Sequence, residues 1–453
     1  MKKGILVLFV LLVGAGLAAP KFMGDVAKEF YHQAFVIYPS KDKKVQFEHK
    51  SYTQSWFSAQ AVSMMHIRIT EPKIGMDTLT AEFSANIQHG PILLTDTGLA
   101  LGAAYIQTDI NWLGLPEKAQ AFVDENVVMR VSSLIDFNHS SSDAVNIKGF
   151  TYEDEKVSAT FGGLTASGTS KLDYSVFKGD IQLPASQIVT KDIAVNIADA
   201  SSTFDMEKYQ DVTFLGTMDA TFPLLEIVAK QSSVRLEDIS ITSQQHEEQG
   251  KLNSKVGFAI KKITAPIPLN ALAYDVEINQ LDFKTLELWM DVSQKLQTQA
   301  STDETQAQLR TLIDLLLQDG LQIKQWLKVE GMGGTLSIDW DSHLVALPDG
   351  QHIMDALDSV TILQAIMMDL RLEVDAAIIM STPFSAMVTP YITQGLIAEE
   401  NGKLIAAVKL DKGVLTVNEQ VLPLAAFLPM LGLKPAVVSP NKDQAETLAT
   451  PAQ

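Results

Sequence analysis

Residues 64–70 read MMHIRIT, and this short stretch decides the fold class. Met65, Ile67 and Ile69 alternate with His66 and Arg68. A period of two puts the apolar side chains on one face of a strand and the polar ones on the other, whereas a helix would scatter them around its axis. The same alternation recurs along the chain. Ile193, Val195 and Ile197 share a face in DIAVNIA, Leu336, Ile338 and Trp340 in TLSIDW, and Val276 and Ile278 in DVEINQ. After Ile278 the phase slips so that Leu281 and Phe283 carry it on, as a β-bulge would make it do. Upstream, the first strand is expected around residues 51–56 and the next from Met64. Turn segments such as NHSSSDA and FGGLTASGTS are rich in Gly, Asp, Asn and Ser. The fold class is therefore mainly β with helical insertions (α+β). It is read as an elongated, twisted antiparallel sheet with one buried and one polar face.

Two segments break the rhythm. LDFKTLELWMDVSQKLQTQ and TQAQLRTLIDLLLQDG, joined by ASTDE, predict a helical hairpin at about 281–320. Leu309, Leu312, Ile313 and Leu316 form its apolar stripe, Thr302 precedes an acidic first turn, and Gly320 marks the stop. PFSAMVTPYITQGLIAEENG predicts a helix at about 384–398 interrupted by Pro390. KLIAAVKLDKGVLTVN then reads as a β-hairpin turning at 411–413, and 436–453 as a disordered tail.

The chain opens with MKKGILVLFVLLVGAGLAAPKFMGD. Lys2 and Lys3 form a positive start, and Gly4 to Pro20 carries no charge. That run is longer than the roughly 7–15 apolar residues of a cleaved signal and reaches the roughly 17–25 that span a bilayer. With Phe22 and Met23 added, residues 4–23 make a membrane span, and Lys21 can extend its ammonium to the interface. Small residues at Gly14, Ala15, Gly16, Ala18 and Ala19 also resemble a cleavage region, so a cut after Ala18 is the alternative. Length favours the retained anchor, and in either case the remaining chain is exported. The expected organisation is a signal-anchor helix at 1–24, a β-rich body at 25–435 and the tail.

Composition narrows the function classes. The 453 residues are 46% hydrophobic, enough for a large core, and carry a net charge of −19. Such a chain repels nucleic-acid phosphates, and its basic clusters (Lys41, Lys43 and Lys44; Lys261 and Lys262) are too short to offset this. Cysteine is absent, which excludes disulfides, thiol catalysis and thiolate metal sites.

No catalytic or cofactor-binding constellation stands out. None of the eight histidines forms HExxH. His49 and His66 are read as a pair that meets across strands, but without a third ligand they are not a metal site. His89-Gly90-Pro91 reads as a rigid chain turn, with a ligand or base role for His89 as the functional option. Asp339 and Asp341 flank Trp340 on one face of a strand. They are a candidate acid/base or sugar-binding pair, although residues i and i+2 on a strand meet the roughly 5–9.5 Å separation of glycoside hydrolysis only loosely. Glu153, Asp154 and Glu155 read as a solvated turn; the serine of GGLTASG lacks nucleophile-elbow spacing, and GMGG at 331–334 lacks the residues of a phosphate loop.

Four places together resemble the YdgA-like proteins of Gram-negative envelopes, a family of unknown function. They are the N-terminal anchor, SYTQSWFSAQ with Tyr52, Phe57 and Ser58, the triplet His89-Gly90-Pro91 in IQHGPILL, and the ending VKLDKGVLTVNEQVLPLAAFLPML. The likeness runs to about Pro435, and its departures are Ser55 where the family usually carries glycine and Glu419 where it usually reads Asn-Gly. A hairpin turn at Glu419 is expected to lose its Asn-Gly geometry. The resemblance implies attachment to the inner membrane by a single N-terminal span with the body in the periplasm, and it supplies no catalytic residues. The expectation is a membrane-anchored binding or scaffold protein, not an enzyme, with no cofactor or metal and no nucleic-acid partner. Lipid, held in an apolar β groove, is the candidate ligand. The alternatives are an envelope hydrolase and a protein that docks partners through the helical hairpin.

Overall fold

The computed structural model describes residues 20–32, 45–69, 77–171, 173, 175–210, 213–230, 232–266, 269–298, 303–318, 320–345, 365–380 and 385–422. It is mainly β and its strand pairings are antiparallel. The chain divides into two compact units, residues 1–246 with 256–271, and residues 247–255 with 272–453.

The first unit begins with helix α1 (20–32). There follow β1 (Val45–Gln54), β2 (Ser58–Arg68), β3 (Thr78–His89), the small hairpin β4 (Ile92–Thr95) and β5 (Gly98–Leu101), and β6 (Ala104–Leu113). Helix α2 (Glu117–Asn126) leads to β7 (Met129–Ile135), β8 (Ser140–Ile147), β9 (Phe150–Glu153), β10 (Val157–Phe161), β11 (Leu164–Lys171) and β12 (Val176–Leu183). Then come β13 (Ser186–Thr190), β14 (Ile193–Ile197), β15 (Ala200–Gln210), β16 (Thr213–Ala229) and β17 (Ser232–Glu248). In space the strands run β1-β2-β3-β6-β7-β8-β11-β12-β15-β16-β17.

Register makes one face of this sheet largely apolar, interrupted by the hydrogen-bonded group Ser141, Ser170 and Asp143. A row across it reads Ala61, Ala85, Thr108, Val131, Val145, Ala166, Ile181, Ser202, Ala220, Ile241. One residue along each strand, on the opposite face, the row Ala144, Ser167, Asp180, Thr203, Asp219, Thr242 is small or polar. A slip of one residue in any strand would exchange the faces, so the pattern fixes the register.

The expected strand limits shift here. β1 and β2 meet at a tight turn inside SYTQSWFSAQ, where the Ser55 amide donates to the Ser58 carbonyl at 2.7 Å. The inward positions Ala59, Ala61 and Ser63 are small because a helix lies over them, and small residues blur the alternation that marks a strand.

Strands β18 (Lys251–Thr264) and β19 (Leu269–Asp282) contribute residues to both units. The second unit continues with helices α3 (Phe283–Thr298) and α4 (Asp303–Gln318), then β20 (Gln322–Gly331), β21 (Gly334–Leu344), β22 (Ile366–Asp375), β23 (Ala398–Glu400), β24 (Lys403–Asp411), β25 (Val414–Val417) and β26 (Gln420–Leu422). The phase slip falls at Gln280, whose φ is 64° and whose amide donates to Asn253 Oδ1 at 3.1 Å. Phe283 does not extend the strand; it opens α3, capped by Asp282 Oδ1, which accepts from the Lys284 amide at 2.8 Å. Val329, Leu336, Val374 and Leu404 align on one face of β20-β21-β22-β24. The short helices Ala376–Met380 and Ser385–Thr393 pack there through Ile378, Val388 and Ile392. GMGG is the two-residue hairpin turn between β20 and β21, with Met332 and Gly333 both at positive φ.

Among the described residues no helix is long and apolar enough to cross a membrane. The anchor read at 4–23 falls mostly on residues 1–19, and the tail read at 436–453, Thr302 and Pro435 likewise lie outside the described residues.

The turn at Glu419 does not lose its Asn-Gly geometry. Asn418 and Glu419 sit at φ 44° and 70°, both left-handed. Asn418 holds the turn through its side chain, accepting from the Ala407 amide at 2.8 Å and donating to the carbonyls of Leu396 at 3.0 Å and Ile405 at 3.2 Å. Glutamate is thus forced into a conformation that suits glycine. Glu419→Gly is expected to stabilise the second unit by about 1 kcal/mol. A rise in the urea midpoint of that unit's tryptophan fluorescence checks it, and an unchanged or lower midpoint contradicts it.

Candidate functional site

The family-like motifs converge on α1. Its inward side chains follow a helical stripe, Met23, Ala27, Phe30 and Tyr31. They pack on Ala59, Ala61, Ala85, Ile87, Ala104, Ile106 and Ile135 from β2, β3, β6 and β7. Each of these sheet residues is buried. His89, at the end of β3, is 2% exposed, and its Nδ1–H donates to the Pro20 carbonyl at 2.7 Å. A carbonyl only accepts, so the proton sits on Nδ1, and His89 Nε2 is left buried without a partner. Gly90, at φ 145°, brings the backbone against the Pro20 ring, and its amide donates to the Ala103 carbonyl at 3.1 Å. A side chain at Gly24 would collide with Gln54 and the His89 ring, so α1 can lie this close only with glycine there.

The other motif residues support the same contact. The His89 amide donates to the Phe57 carbonyl at 3.0 Å, which ties the β1–β2 turn to β3. Tyr52 packs beside α1 with its hydroxyl buried and unpartnered. Burial first, and then the negative charge of Asp25, push its pKa up to about 12. Tyr31 donates to Ser63 Oγ at 2.9 Å, and Lys28 Nζ lies 5.6 Å from the centre of the Tyr52 ring. The side chains of Phe57 and Ser58 are exposed. The triplet is thus a latch for α1 in addition to a turn, with His89 only 2% exposed. The sequence reading ends the anchor at residue 24 and gives no helix over residues 25–32; the Met23, Ala27, Phe30, Tyr31 spacing is the signal that finds it.

Beyond α1 the apolar face continues. Val145, Ile147, Leu164, Ala166, Phe177, Ile181, Phe204 and Met206 are half-buried there, while their outward neighbours are mostly exposed. A depression of about 160 Å³ opens among Val145, Ala166, Phe177 and Phe204. Gly168 and Asp143 also line it, and Gly168 pairs with Gly179, where a Cβ would strike the Ser167 carbonyl.

The second unit carries a polar cleft of about 700 Å³. Register sets Lys324, Asp341, Asp369 and Lys409 in one row and Trp326, Asp339 and Arg371 in the next. Asp339 and Asp341 do therefore share a cleft. Asp341 accepts from Gln322 Nε2 at 2.9 Å and lies 3.3 Å from His343 Nε2 and 3.9 Å from Lys324 Nζ. Lys255 pairs with Glu277 at 2.8 Å on the same wall.

His49 and His66 do not meet. His49 stands opposite Ser63 and His66 opposite Gln46, because a bulge between His49 and Ser51 sets the register. His49 instead stacks edge-on with His32 at 4.5 Å, and burial, then the neighbouring His49 and Lys28, lower the His32 pKa. Among the described residues no group of His, Asp and Glu is placed to hold a metal. Asp154 is a turn cap, held below the usual carboxylate range by hydrogen bonds from Tyr152 and the amides of Lys156 and Val157. In α4, Leu312 is buried and Leu309 half-buried, so at these two positions the stripe faces the chain's own interior.

Residues 1–425 match the model of a family described as a bacterial protein of unknown function, DUF945. The chain belongs to that family. No curated protein and no solved structure matches it. In this DUF945 chain, then, His89, Gly90, Tyr52 and the Phe57 carbonyl gather around one helix. His89→Ala removes the bond to Pro20 and opens a void beneath it. It is expected to destabilise the first unit by about 1–3 kcal/mol and to speed tryptic cleavage at Lys21 and Lys28. Unchanged cleavage would show that the latch does not hold α1.

Proposed function

We propose that this DUF945 protein is a membrane-anchored, periplasmic binding or scaffold protein of the YdgA-like type, and that the apolar sheet face of its first unit takes an acyl chain. The observation that carries the reading is the half-buried continuation of that face past α1, with a depression among Val145, Ala166, Gly168, Phe177 and Phe204. Closed cores bury such residues, whereas binding faces keep them within reach of a ligand. Attachment is supported by the uncharged run Gly4–Pro20, which leads directly into the helix that His89 fixes to the body. An inner-membrane and Gram-negative setting comes from the family resemblance.

A second reading concerns the polar cleft, where Trp326 lies beside Asp339 and Arg371. An aromatic plane next to carboxylate acceptors and a guanidinium suits a polyhydroxylated ligand such as a sugar, bound or hydrolysed. Mass spectrometry of the protein isolated in gentle detergent separates the two readings. The lipid reading expects a bound acyl lipid that is lost in Ile181→Asp and Phe204→Asp but kept in Asp339→Asn. A bound saccharide lost in Asp339→Asn, with no lipid, would replace it by the second.

A further inference from the structure

The hairpin of β4 and β5 directly follows His89-Gly90-Pro91. One flank of it is built against the body: Leu93 is 1% exposed, and the Leu94 amide donates to Gln88 Oε1 at 3.1 Å. The other flank is apolar and faces outward. Ile92 stands opposite Leu101 and Leu94 opposite Leu99, so all four side chains share one side. They are between 63% and 78% exposed. Four large aliphatic side chains on two short strands form a contiguous patch, not the scattered single residues that any surface shows.

Two further aromatic groups belong to the same edge. Trp56 and Phe57, at the β1–β2 turn, are 52% and 56% exposed, and the Phe57 carbonyl is bonded to the His89 amide. Phe22, on the outward side of α1, is 71% exposed, two residues after the proline that His89 holds. Gly90, at the base of the hairpin, lies so near α1 that a Cβ there would meet the Pro20 ring. The exposed apolar groups therefore gather where the uncharged run Gly4–Pro20 joins the fold.

We infer that this edge is a second membrane contact, in which the β4–β5 flank, Trp56, Phe57 and Phe22 rest in the interfacial layer of the bilayer. The choice of a bilayer over a protein partner rests on the membrane-attachment reading above and on this continuity with the uncharged run. Aromatic and aliphatic side chains beside a lysine, here Lys21, are the composition that interfacial layers favour. Asp96 at the hairpin tip is hydrogen-bonded to Tyr105 of β6, which holds the tip against the body and leaves the apolar flank outermost. A body seated this way has a fixed orientation instead of swinging on a tether, which holds its apolar sheet face at a constant height above the lipid.

The absence of cysteine makes the test clean. Leu99→Cys and Leu94→Cys, both at exposed positions, are labelled with an environment-sensitive fluorophore, and Thr203→Cys on the polar sheet face serves as control. The full chain is reconstituted in phosphatidylethanolamine–phosphatidylglycerol vesicles with and without nitroxide-labelled lipid. Cosedimentation with the vesicles reports the anchor, and the labels report the hairpin. The inference expects blue-shifted, nitroxide-quenched emission at 94 and 99 but not at 203. Cosedimentation with the hairpin labels as wet as the control overturns the inference and leaves the anchor reading standing. A blue-shifted label that nitroxide lipid does not quench also overturns it, and assigns the patch to another part of this chain, a second copy or a protein partner.

Discussion

The constraint on which the first unit depends is the antiparallel register that keeps one sheet face largely apolar from β1 to β17. Side chains alternate with a strict period of two, so every strand must hold its phase against both neighbours or present its apolar residues to water. Once the face exists, something must cover it. At one end α1 does so, over Ala59, Ala61, Ala85 and Ala104 together with Ile87, Ile106 and Ile135. Past α1, at Ile181, Phe177, Phe204 and Met206, burial falls from complete to partial. The burial of the face thus records where the protein supplies its own cover.

The latch gives the same division a mechanical basis. Over residues 20–32 the helix is held by tertiary contacts. Ala27, Phe30 and Tyr31 provide the apolar part of those contacts. His89 adds direction, because its bond to Pro20 fixes the helix against β3. A buried imidazole with one nitrogen unpartnered is costly, and its occurrence beside a glycine at φ 145° marks a place where geometry outranks local stability. The second unit solves the same problem differently, since its apolar face is covered by short helices that follow β22 and its polar face is left as a charged cleft.

Much of this is legible in the sequence, for stated reasons. Strands with clear alternation, such as MMHIRIT and TLSIDW, declare themselves, and so do the helical hairpin and the turn at 411–413. What fails are the places where burial is set by a distant partner. Ala59, Ala61 and Ser63 do not alternate in hydrophobicity, so the start of β2 is hidden until α1 is seen above it. Phe283 reads as the next strand position, but Asp282 caps a helix there. Glu419 disfavours a left-handed turn, yet Asn418 makes three side-chain hydrogen bonds that impose it. His89-Gly90-Pro91 is legible as a turn, but its partner Pro20, far away in sequence, is not. The Asp339 and Asp341 pair was visible too, whereas Trp326 and Arg371 joined it only through the register.

The central claim is that the apolar face past α1 is an open binding surface and not a closed core. Thiol modification rates at Ile181→Cys and Ala85→Cys test it most directly, measured on protein stripped of lipid and on protein carrying it. The account predicts that Ile181→Cys reacts readily when stripped and is protected when lipid is bound, while Ala85→Cys, beneath α1, stays unreactive in both. An Ile181→Cys thiol as inert as that at residue 85 in the stripped protein would contradict it, and the face would then be an ordinary dry core.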